Sequence, residues 1–249
     1  MADIEAVVCN ALNDFYKRRL QKLTELKLNE ALRKKNPYLF RAVGVQKASE
    51  IIDRLLQAFM SSSEETIFGD AFFEPVVKAV CCGVAAGGAG VDVVIEKDDS
   101  YTVISVKSGP HWGNSSQMSK LKDDFAYARH VFDNKRLGKH FRAILGHGYG
   151  RKAGESNSKR PYDVRSGQAF WQELTGDPDF YLKLIRFMDK HPDAHRIQYE
   201  EEWNKASNRF EKEFLDRFST PEGEIDWEKL VEFNSGSGNI NNMADVSEI

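Results

Sequence analysis

GVDVVIEKDDSYTVISVKSG, residues 90–109, has the clearest structural pattern in the chain. Two segments in it, 91–96 and 101–107, are rich in β-branched residues and alternate in polarity, which is typical of strands. Lys97-Asp98-Asp99-Ser100 lies between them and has the composition of a turn. The stretch therefore predicts a β-hairpin.

The register of this hairpin decides which polar side chains meet. A loop that is symmetric about Asp99 and Ser100 places Asp92 opposite Lys107. Side chains alternate between the two faces of a strand, so Asp92 and Lys107 share one face, and a slip of one residue would separate them. The other face is nearly all apolar. The sequence thus predicts a carboxylate and an ammonium group together at the open end of a buried hairpin.

The composition is ordinary for a soluble globular protein. The chain has 249 residues, of which 41% are hydrophobic and 29% are charged, and its formal net charge is −3. Binding to a polyanion would therefore need a local basic surface. The three cysteines, Cys9, Cys81 and Cys82, lack the spacing of metal ligands and fit a reducing compartment. We find neither a signal peptide nor an apolar run of the roughly 20 residues that a membrane span needs, and we expect a cytoplasmic protein.

The segments around the hairpin are mainly helical. Apolar residues at spacings of three and four predict helices, and serines 61–63 have the composition of a helix start. The predicted helices span residues 2–35, 45–59, about 61–80, 117–132, 170–174, 178–190 and 200–218. Residues 141–146 predict a third strand, and residues 147–169 are mostly irregular. This order predicts an α/β fold with a small mixed central sheet flanked by helices and with helix-rich termini.

One domain accounts for most of the chain. We expect it to span residues 1–233, with a helical N-terminal part at 1–60, a core at 61–175 and a helical C-terminal part at 176–233. Residues 234–249 are rich in Asn, Gly and Ser and predict a flexible tail.

A carboxylate beside a lysine at the ends of two adjacent strands suits metal-assisted hydrolysis. The carboxylate can bind a hard divalent cation, and such a cation stabilises charge on a phosphoryl group and acidifies a bound water. The lysine can orient that water. One carboxylate rarely suffices, and the backbone carbonyl of Val106 and the side chain of Glu74 are candidates for further ligands. Ser105 stands where a second carboxylate would be most convenient.

These residues resemble the PD-(D/E)xK nuclease superfamily, in particular its type II restriction endonucleases. The resemblance covers roughly residues 60–175 and is carried by Glu74, Val91-Asp92 and Ser105-Val106-Lys107. It implies a restriction-endonuclease-like core in which Asp92, Val106 and Glu74 bind Mg²⁺. It also implies that Asp92, Lys107, Ser105 and Glu74 form the catalytic site that cleaves DNA phosphodiesters to 5′-phosphate and 3′-hydroxyl ends.

Ser105 is the main departure from the family pattern, which has an acid at this position. Some family members with a serine there recruit an acid from the following helix. In this chain that helix offers Asp123 and Asp124, with Gln117 closer to the loop. Glu74, on the preceding helix, is the alternative, and the sequence leaves the choice open.

Two loops carry candidates for contacts with DNA. His111, Trp112 and Asn114 follow the second hairpin strand, in a loop whose backbone amides could approach a phosphate. The other loop is basic, with interleaved aromatic residues, and arginine commonly reads guanine in the major groove. Its candidates are Tyr149, Arg151, Lys152, Lys159, Arg160 and Arg165. The alternative for the first segment is a loop packed by its tryptophan, and the alternative for the second is a solvated loop without a ligand.

The predicted function is a Mg²⁺-dependent, sequence-specific double-stranded DNA endonuclease of the type II restriction class. Both strands have to be cut, so a homodimer with one site per subunit is the simplest arrangement. In bacteria such an enzyme is paired functionally with a DNA methyltransferase. The alternatives are a less specific repair or recombination nuclease, a DNA-binding protein of the same fold that lacks cleavage, and an α/β protein with a structural Asp–Lys pair.

Overall fold

The computed structural model describes residues 3–81, 84–85, 90–135, 137–188 and 192–237. The described residues of Met1–Leu20 and Ser62–Gln198 form one compact unit, and those of Gln21–Ser61 and Tyr199–Ile249 form another. The division after Ser61 lies one residue from the boundary expected between the N-terminal part and the core. That both units belong to a single nuclease domain stays a prediction.

The first unit is built on a mixed five-stranded sheet. Its strands are β1 Val84–Ala85, β2 Val93–Glu96, β3 Ser100–Lys107, β4 His140–His147 and β5 Asp163–Ser166. They lie in sequence order; β1, β2 and β3 are antiparallel, whereas β4 and β5 run parallel to β3. This confirms the predicted mixed sheet and the predicted third strand, which is β4. The short strand β5 lies in residues 147–169, which were expected to be mostly irregular but with room for a further strand.

Helices make up most of the rest of the described chain. They are α1 Ile4–Thr24, α2 Leu28–Arg33, α3 Pro37–Ala42, α4 Ala48–Phe68, α5 Glu74–Val80, α6 Ser115–Lys135, α7 Gln168–Thr175, α8 Phe180–Met188, α9 Pro192–Phe218 and α10 Trp227–Ser235. A π-helical turn, Gly69–Phe73, joins α4 to α5. None of the described helices is long and apolar enough to cross a membrane.

The predicted helix start at serines 61–63 is wrong. Helix α4 runs through these serines without a break, so their backbone is helical, whereas a residue that caps a helix needs a non-helical backbone. Buried side chains lie on both sides of the serines, at Met60 before them and at Ala71 and Phe72 after them. One continuous helix therefore replaces the two that the local composition predicted, with buried side chains on both sides of the serines.

Both faces of the sheet are buried, which fixes which way each strand faces. On one face, side chains of β2, β3 and β4 pack against α1, the π-helical turn, α5, α7 and α8; they are Val93, Ile104, Val106 and Ile144. On the other face, Tyr101, Val103, Ala143, Leu145 and Val164 pack against Leu121, Phe125, Ala128 and Phe132 of α6.

The second unit has its own core, formed by α2, α3, α4, α9 and α10. Its buried residues include Leu32, Ile52 and Phe214. Asn234 and Ser235, the first two residues of the predicted tail, belong to α10. The Asn234 side-chain amide donates to the carbonyl oxygens of Leu32 and Lys35, each at 3.0 Å. Residues 238–249 of the predicted tail lie outside the described residues.

Candidate active site

The hairpin turn is centred on Asp98 and Asp99, one residue earlier than predicted, and this shifts the register. β2 ends at Glu96, which pairs with Tyr101, and the amide of Lys97 donates to the carbonyl of Ser100 at 2.9 Å. Continued along the ladder, this register brings Asp92 opposite Ser105 instead of Lys107. The shift is by two residues, which preserves the alternation of faces. Asp92 therefore still shares a face with Ser105 and Lys107.

The carboxylate of Asp92 contacts three groups of β3. Its Oδ2 accepts hydrogen bonds from the amide of Val106 at 2.6 Å and from the hydroxyl of Ser105 at 3.3 Å. The ammonium of Lys107 lies 3.7 Å from the same oxygen. The structure thus brings together Asp92, Ser105, Val106 and Lys107. The side chains of Asp92 and Lys107 are 25% and 32% exposed, so a substrate can reach this end of the hairpin.

The loop after β3 contributes to the same place through Trp112. The Lys107 ammonium lies 5.5 Å from the centre of the Trp112 ring, a distance typical of a cation–π contact. Trp112 itself packs against the core between the sheet and α6, whereas His111 is exposed. The loop is therefore anchored by its tryptophan and presents its histidine to solvent.

Asn114 and Gln117 form the N-terminal cap of α6. The Asn114 side chain accepts from the amide of Gln117 at 3.0 Å, and the Gln117 side chain accepts from the amide of Asn114 at 3.0 Å. This reciprocal pair is a capping box, which satisfies two of the free amides at the start of the helix. Asn114 and Gln117 therefore serve to cap α6 in this structure.

Helix α6 does not direct its two predicted acids to Asp92. Asp123 is exposed. Asp124 makes an ion pair with Lys120 at 3.0 Å and lies against Gly90, where an added Cβ would come within 1.8 Å of the Asp124 carboxyl carbon. On the other side of the sheet Glu74 is ion-paired with Lys78. Of the carboxylates predicted to replace the missing acid, Asp123 faces solvent, whereas Asp124 and Glu74 each pair with a lysine of their own helix.

The π-helical turn brings another acid, Asp70, to the hairpin. This turn packs against β3. An added Cβ on Gly69 would lie 2.8 Å from the hydroxyl oxygen of Ser108, and that hydroxyl donates to the carbonyl of Glu65 at 3.1 Å. Asp70, the next residue after Gly69, therefore lies where the helix meets the end of β3. π-helical turns are frequent at functional sites.

Charged groups at the end of the hairpin, Asp92 and Lys107, act on the carboxylate of Asp70. Partial burial raises the pKa of Asp70, and the nearby carboxylate of Glu74 raises it further. The cations of Lys107 and Arg18 lower the pKa, Asp92 raises it, and the net direction is upward. The sequence analysis assigned Asp70 no role. Its spacing of four residues from Glu74 was the available signal, since residues at this spacing share a helix face.

The oxygen donors at this end of the hairpin suit a hard cation. Carboxylates of Asp92, Asp70 and Glu74 are the ligands that Mg²⁺ and similar ions prefer, and no thiolate accompanies them among the described residues. Across the described ranges, however, no three His, Cys, Asp or Glu side chains lie close enough together to hold a metal ion. The donor types fit a divalent metal, and binding it would require these carboxylates to converge.

His147 is a second residue to which the sequence analysis assigned no role. It ends β4, pairs with Lys107 in the parallel register and is only 1% exposed. Its Nδ1 lies 2.7 Å from the hydroxyl of Ser166, and its Nε2 has no hydrogen-bond partner among the described residues. Burial lowers the pKa of His147 to about 4, with contributions from the positive charges of Lys152, His111 and Lys107.

The buried His147 predicts that the protein loses stability as the pH falls from about 6.5 towards 4. The unfolded chain binds the histidine proton near the ordinary pKa of 6.5, whereas the folded protein binds it only near 4. Lowering the pH from 7 to 5 should therefore reduce the free energy of unfolding by about 2 kcal/mol through this residue. Urea unfolding should show a smaller loss in His147→Asn. An equal loss in parent and variant would contradict the assignment.

The predicted DNA-binding residues after β4 have different environments. The Tyr149 ring covers Gly109, and Arg151, Lys152 and Lys159 are exposed. The guanidinium of Arg160 donates to the carbonyl of Glu155 at 2.7 Å.

Arg165 lies in an ion-pair network instead of on an open surface. Its guanidinium contacts Glu173 at 2.8 Å and Glu155 at 2.7 Å, and its side chain is 16% exposed. Arg142, on the neighbouring strand β4, contacts Glu173 and Asp163 of the same network at 2.8 Å. Arg165 is therefore not available to DNA in this arrangement, because its donors are already paired.

A mixed sheet flanked by helices, with a hairpin that ends in a carboxylate–lysine pair, fits the fold of a restriction endonuclease. The sequence matches the family of the type II restriction endonuclease EcoO109I over residues 2–195, about three quarters of the chain. The chain belongs to this family, and it is therefore a site-specific deoxyribonuclease whose substrate is DNA. No curated protein matches the sequence. The matched region includes the whole sheet and ends three residues before the end of the first unit.

Proposed function

We propose that this chain is a Mg²⁺-dependent endonuclease that cuts both strands of DNA at a defined sequence, with its hydrolytic centre at the Asp92–Lys107 end of the hairpin. The observation that carries the proposal is the contact between these two side chains at a solvent-accessible strand end. The family match, which covers both residues, supports it. An ion pair between partly exposed side chains adds little to stability, so a stabilising role alone does not explain why Asp92 and Lys107 are paired.

In this proposal each residue at the hairpin end has a defined task. Asp92 binds the metal, and the amide of Val106 orients its carboxylate. The carbonyl of Val106 provides a further ligand. Lys107 holds the attacking water and the phosphate oxygen. A divalent cation held by these residues would neutralise charge on the phosphoryl group and would acidify the water. Attack on phosphorus breaks the bond to the 3′ oxygen and leaves 5′-phosphate and 3′-hydroxyl ends.

Asp70 joins Glu74 in supplying the carboxylate that Ser105 does not. Ser105 is buried and gives its hydroxyl to Asp92, so it acts as a support for that carboxylate. Burial is the main cause of the raised pKa of Asp70, and the neighbouring carboxylates of Glu74 and Asp92 raise it further. A divalent cation between these carboxylates would relieve their repulsion.

Asp70→Asn should weaken metal binding and slow cleavage. We expect each effect to be about tenfold or larger, in line with the loss of a group that supports a metal site. Calorimetric titration with Mn²⁺ and single-turnover cleavage at saturating DNA would measure the two effects. Asp123→Asn is the matched control, because Asp123 is an exposed acid on α6. If both variants bind Mn²⁺ like the parent, Asp70 is not part of the site.

The exposed cations Arg151 and Lys152 are the best candidates for phosphate contacts in the loop after β4. Replacing both with alanine should weaken binding to all DNA sequences and reduce the slope of log K against log salt by about 2, because each phosphate contact releases counterions. Binding is measured with Ca²⁺ at several salt concentrations. Lys97→Ala, in the exposed hairpin turn, is the control. An unchanged slope in the double variant would exclude this surface.

The remaining parts of the proposal follow from the task of cutting a duplex. Two subunits related by a two-fold axis can each cut one strand of a symmetric target, so we propose a homodimer. We further propose a cytoplasmic location and functional pairing with a DNA methyltransferase that protects the host sequence. Sedimentation of the protein with and without a short duplex tests the subunit count.

Digestion of long duplex DNA tests the proposed function directly. With Mg²⁺ the protein should give discrete fragments with 5′-phosphate ends, and a chelator should prevent their formation. A smear would favour a less specific repair or recombination nuclease. Retention of DNA without cutting would favour a DNA-binding protein that lacks cleavage, an alternative that rests on the serine at position 105.

A further inference from the structure

We propose that His147 is a positioning residue for Lys107, and that its Nε2 accepts a hydrogen bond from the lysine ammonium. The inference rests on the proposed function, since it takes Lys107 to be the lysine that acts in cleavage. It assigns a role to a buried imidazole that the mechanism above does not use.

The two strand ends place the imidazole beside the lysine. His147 on β4 pairs with Lys107 on β3, and residues paired across parallel strands project to the same face. The amide of Gly148 donates to the carbonyl of Lys107 at 3.0 Å, which holds the two strand ends together. The next strand continues the row, since Ser166 of β5 pairs with His147.

Ser166 fixes the orientation of the ring. Its hydroxyl lies 2.7 Å from Nδ1, and the amide of Gly167 donates to the carbonyl of His147 at 3.0 Å. The ring is fully enclosed, which limits its rotation. When Nδ1 carries the proton and donates it to Ser166, Nε2 keeps a lone pair and is an acceptor.

The buried, unpaired Nε2 makes His147 destabilising unless this atom gains a hydrogen-bond partner. A buried ring nitrogen without a hydrogen bond is destabilising, and an apolar side chain would avoid that penalty. The positive charges that act on the ring are those of Lys152, His111 and Lys107, in order of decreasing effect, and they favour the neutral ring. Lys107 is the one that adjoins His147 in the sheet, so its ammonium is the natural donor.

Two acceptors would then define the position of Lys107. Its ammonium has three N–H donors. The carboxylate of Asp92 lies 3.7 Å from the ammonium, an ion-pair distance, and His147 would accept one of the N–H groups. The N–H groups that remain are available to the water and the phosphate oxygen. Without His147 the lysine would keep its charge but would sample more positions, so cleavage should slow while DNA affinity stays nearly unchanged.

Three variants test this inference by single-turnover cleavage. His147→Leu should cut about tenfold to a hundredfold more slowly, as expected for the loss of a hydrogen bond to a charged group. Its DNA affinity, measured with Ca²⁺, should stay within about threefold of the parent value. His147→Gln, whose amide oxygen can replace Nε2 as an acceptor, should recover most of the rate. His140→Leu, at the exposed start of the same strand, should cut like the parent.

A second variant keeps the test informative if His147→Leu does not fold. Ser166→Ala leaves the ring in place but removes its orienting hydroxyl, and it should slow cleavage with the same unchanged affinity. The inference is overturned if His147→Leu, or Ser166→Ala in its place, cuts at the parent rate, or if glutamine is no better than leucine. Lys107→Ala, measured in parallel, separates the two proposals. If Lys107→Ala cuts at the parent rate, the proposed function itself fails; if only the His147 and Ser166 variants do, this inference alone fails.

Discussion

Asp92→Asn should slow single-turnover DNA cleavage by about a thousandfold or more, because a bound metal ion supplies several kcal/mol of transition-state stabilisation. Asparagine keeps the side-chain oxygen that accepts from the amide of Val106, so the strand end should stay folded. The variant should also lose most of its affinity for Mn²⁺. Both quantities are measured at saturating DNA, with thermal unfolding as a check of the fold.

Glu96→Gln is the matched control for Asp92. Glu96 lies on the same strand and the same face, but at the turn end of the hairpin, where its carboxylate pairs with Lys139 at 2.7 Å. It is an acid–lysine pair of the same kind without a proposed catalytic role. The control should cleave at the parent rate. Equal rates for the Asp92 and Glu96 variants would show that the Asp92 pair is also only structural.

Lys107→Ala should reduce cleavage by about 10²- to 10⁴-fold, the range that a positioned proton-transfer group contributes. DNA binding in Ca²⁺ should change little, since one phosphate contact is a small part of the total. Lys139→Ala removes the lysine that pairs with Glu96 at the turn end of the hairpin, and it should leave the rate unchanged. Cleavage by Lys107→Ala at the parent rate would exclude the proposed mechanism.

The hairpin shows what local patterning can and cannot establish. Alternation of β-branched residues predicts the two strands and the face that Asp92 shares with Lys107. The position of the turn is not encoded so clearly, because Lys97, Asp98, Asp99 and Ser100 all suit a turn. The register is consequently displaced by two residues, and the shared face survives only because the displacement is even.

Long-range contacts account for what the sequence could not predict. The serines at 61–63 have the composition of a cap, yet burial on both sides carries the helix through them. Asp70 reaches the hairpin through a π-helical turn that depends on packing against β3. His147 is paired in the sheet with Lys107, which lies forty positions earlier in the chain. Arg165 is basic in sequence, but two glutamates from other segments occupy its guanidinium.

Single-turnover cleavage by the Asp92→Asn, Lys107→Ala double variant tests the central claim most directly. Parent, single and double variants are compared on one duplex that contains the target sequence, with enzyme in excess. If both residues act on the same phosphodiester, the double variant should cut within about threefold of the slower single variant, since losses within one catalytic unit do not multiply. A single variant within about twofold of the parent, or a double loss equal to the product of the single losses, would contradict the account.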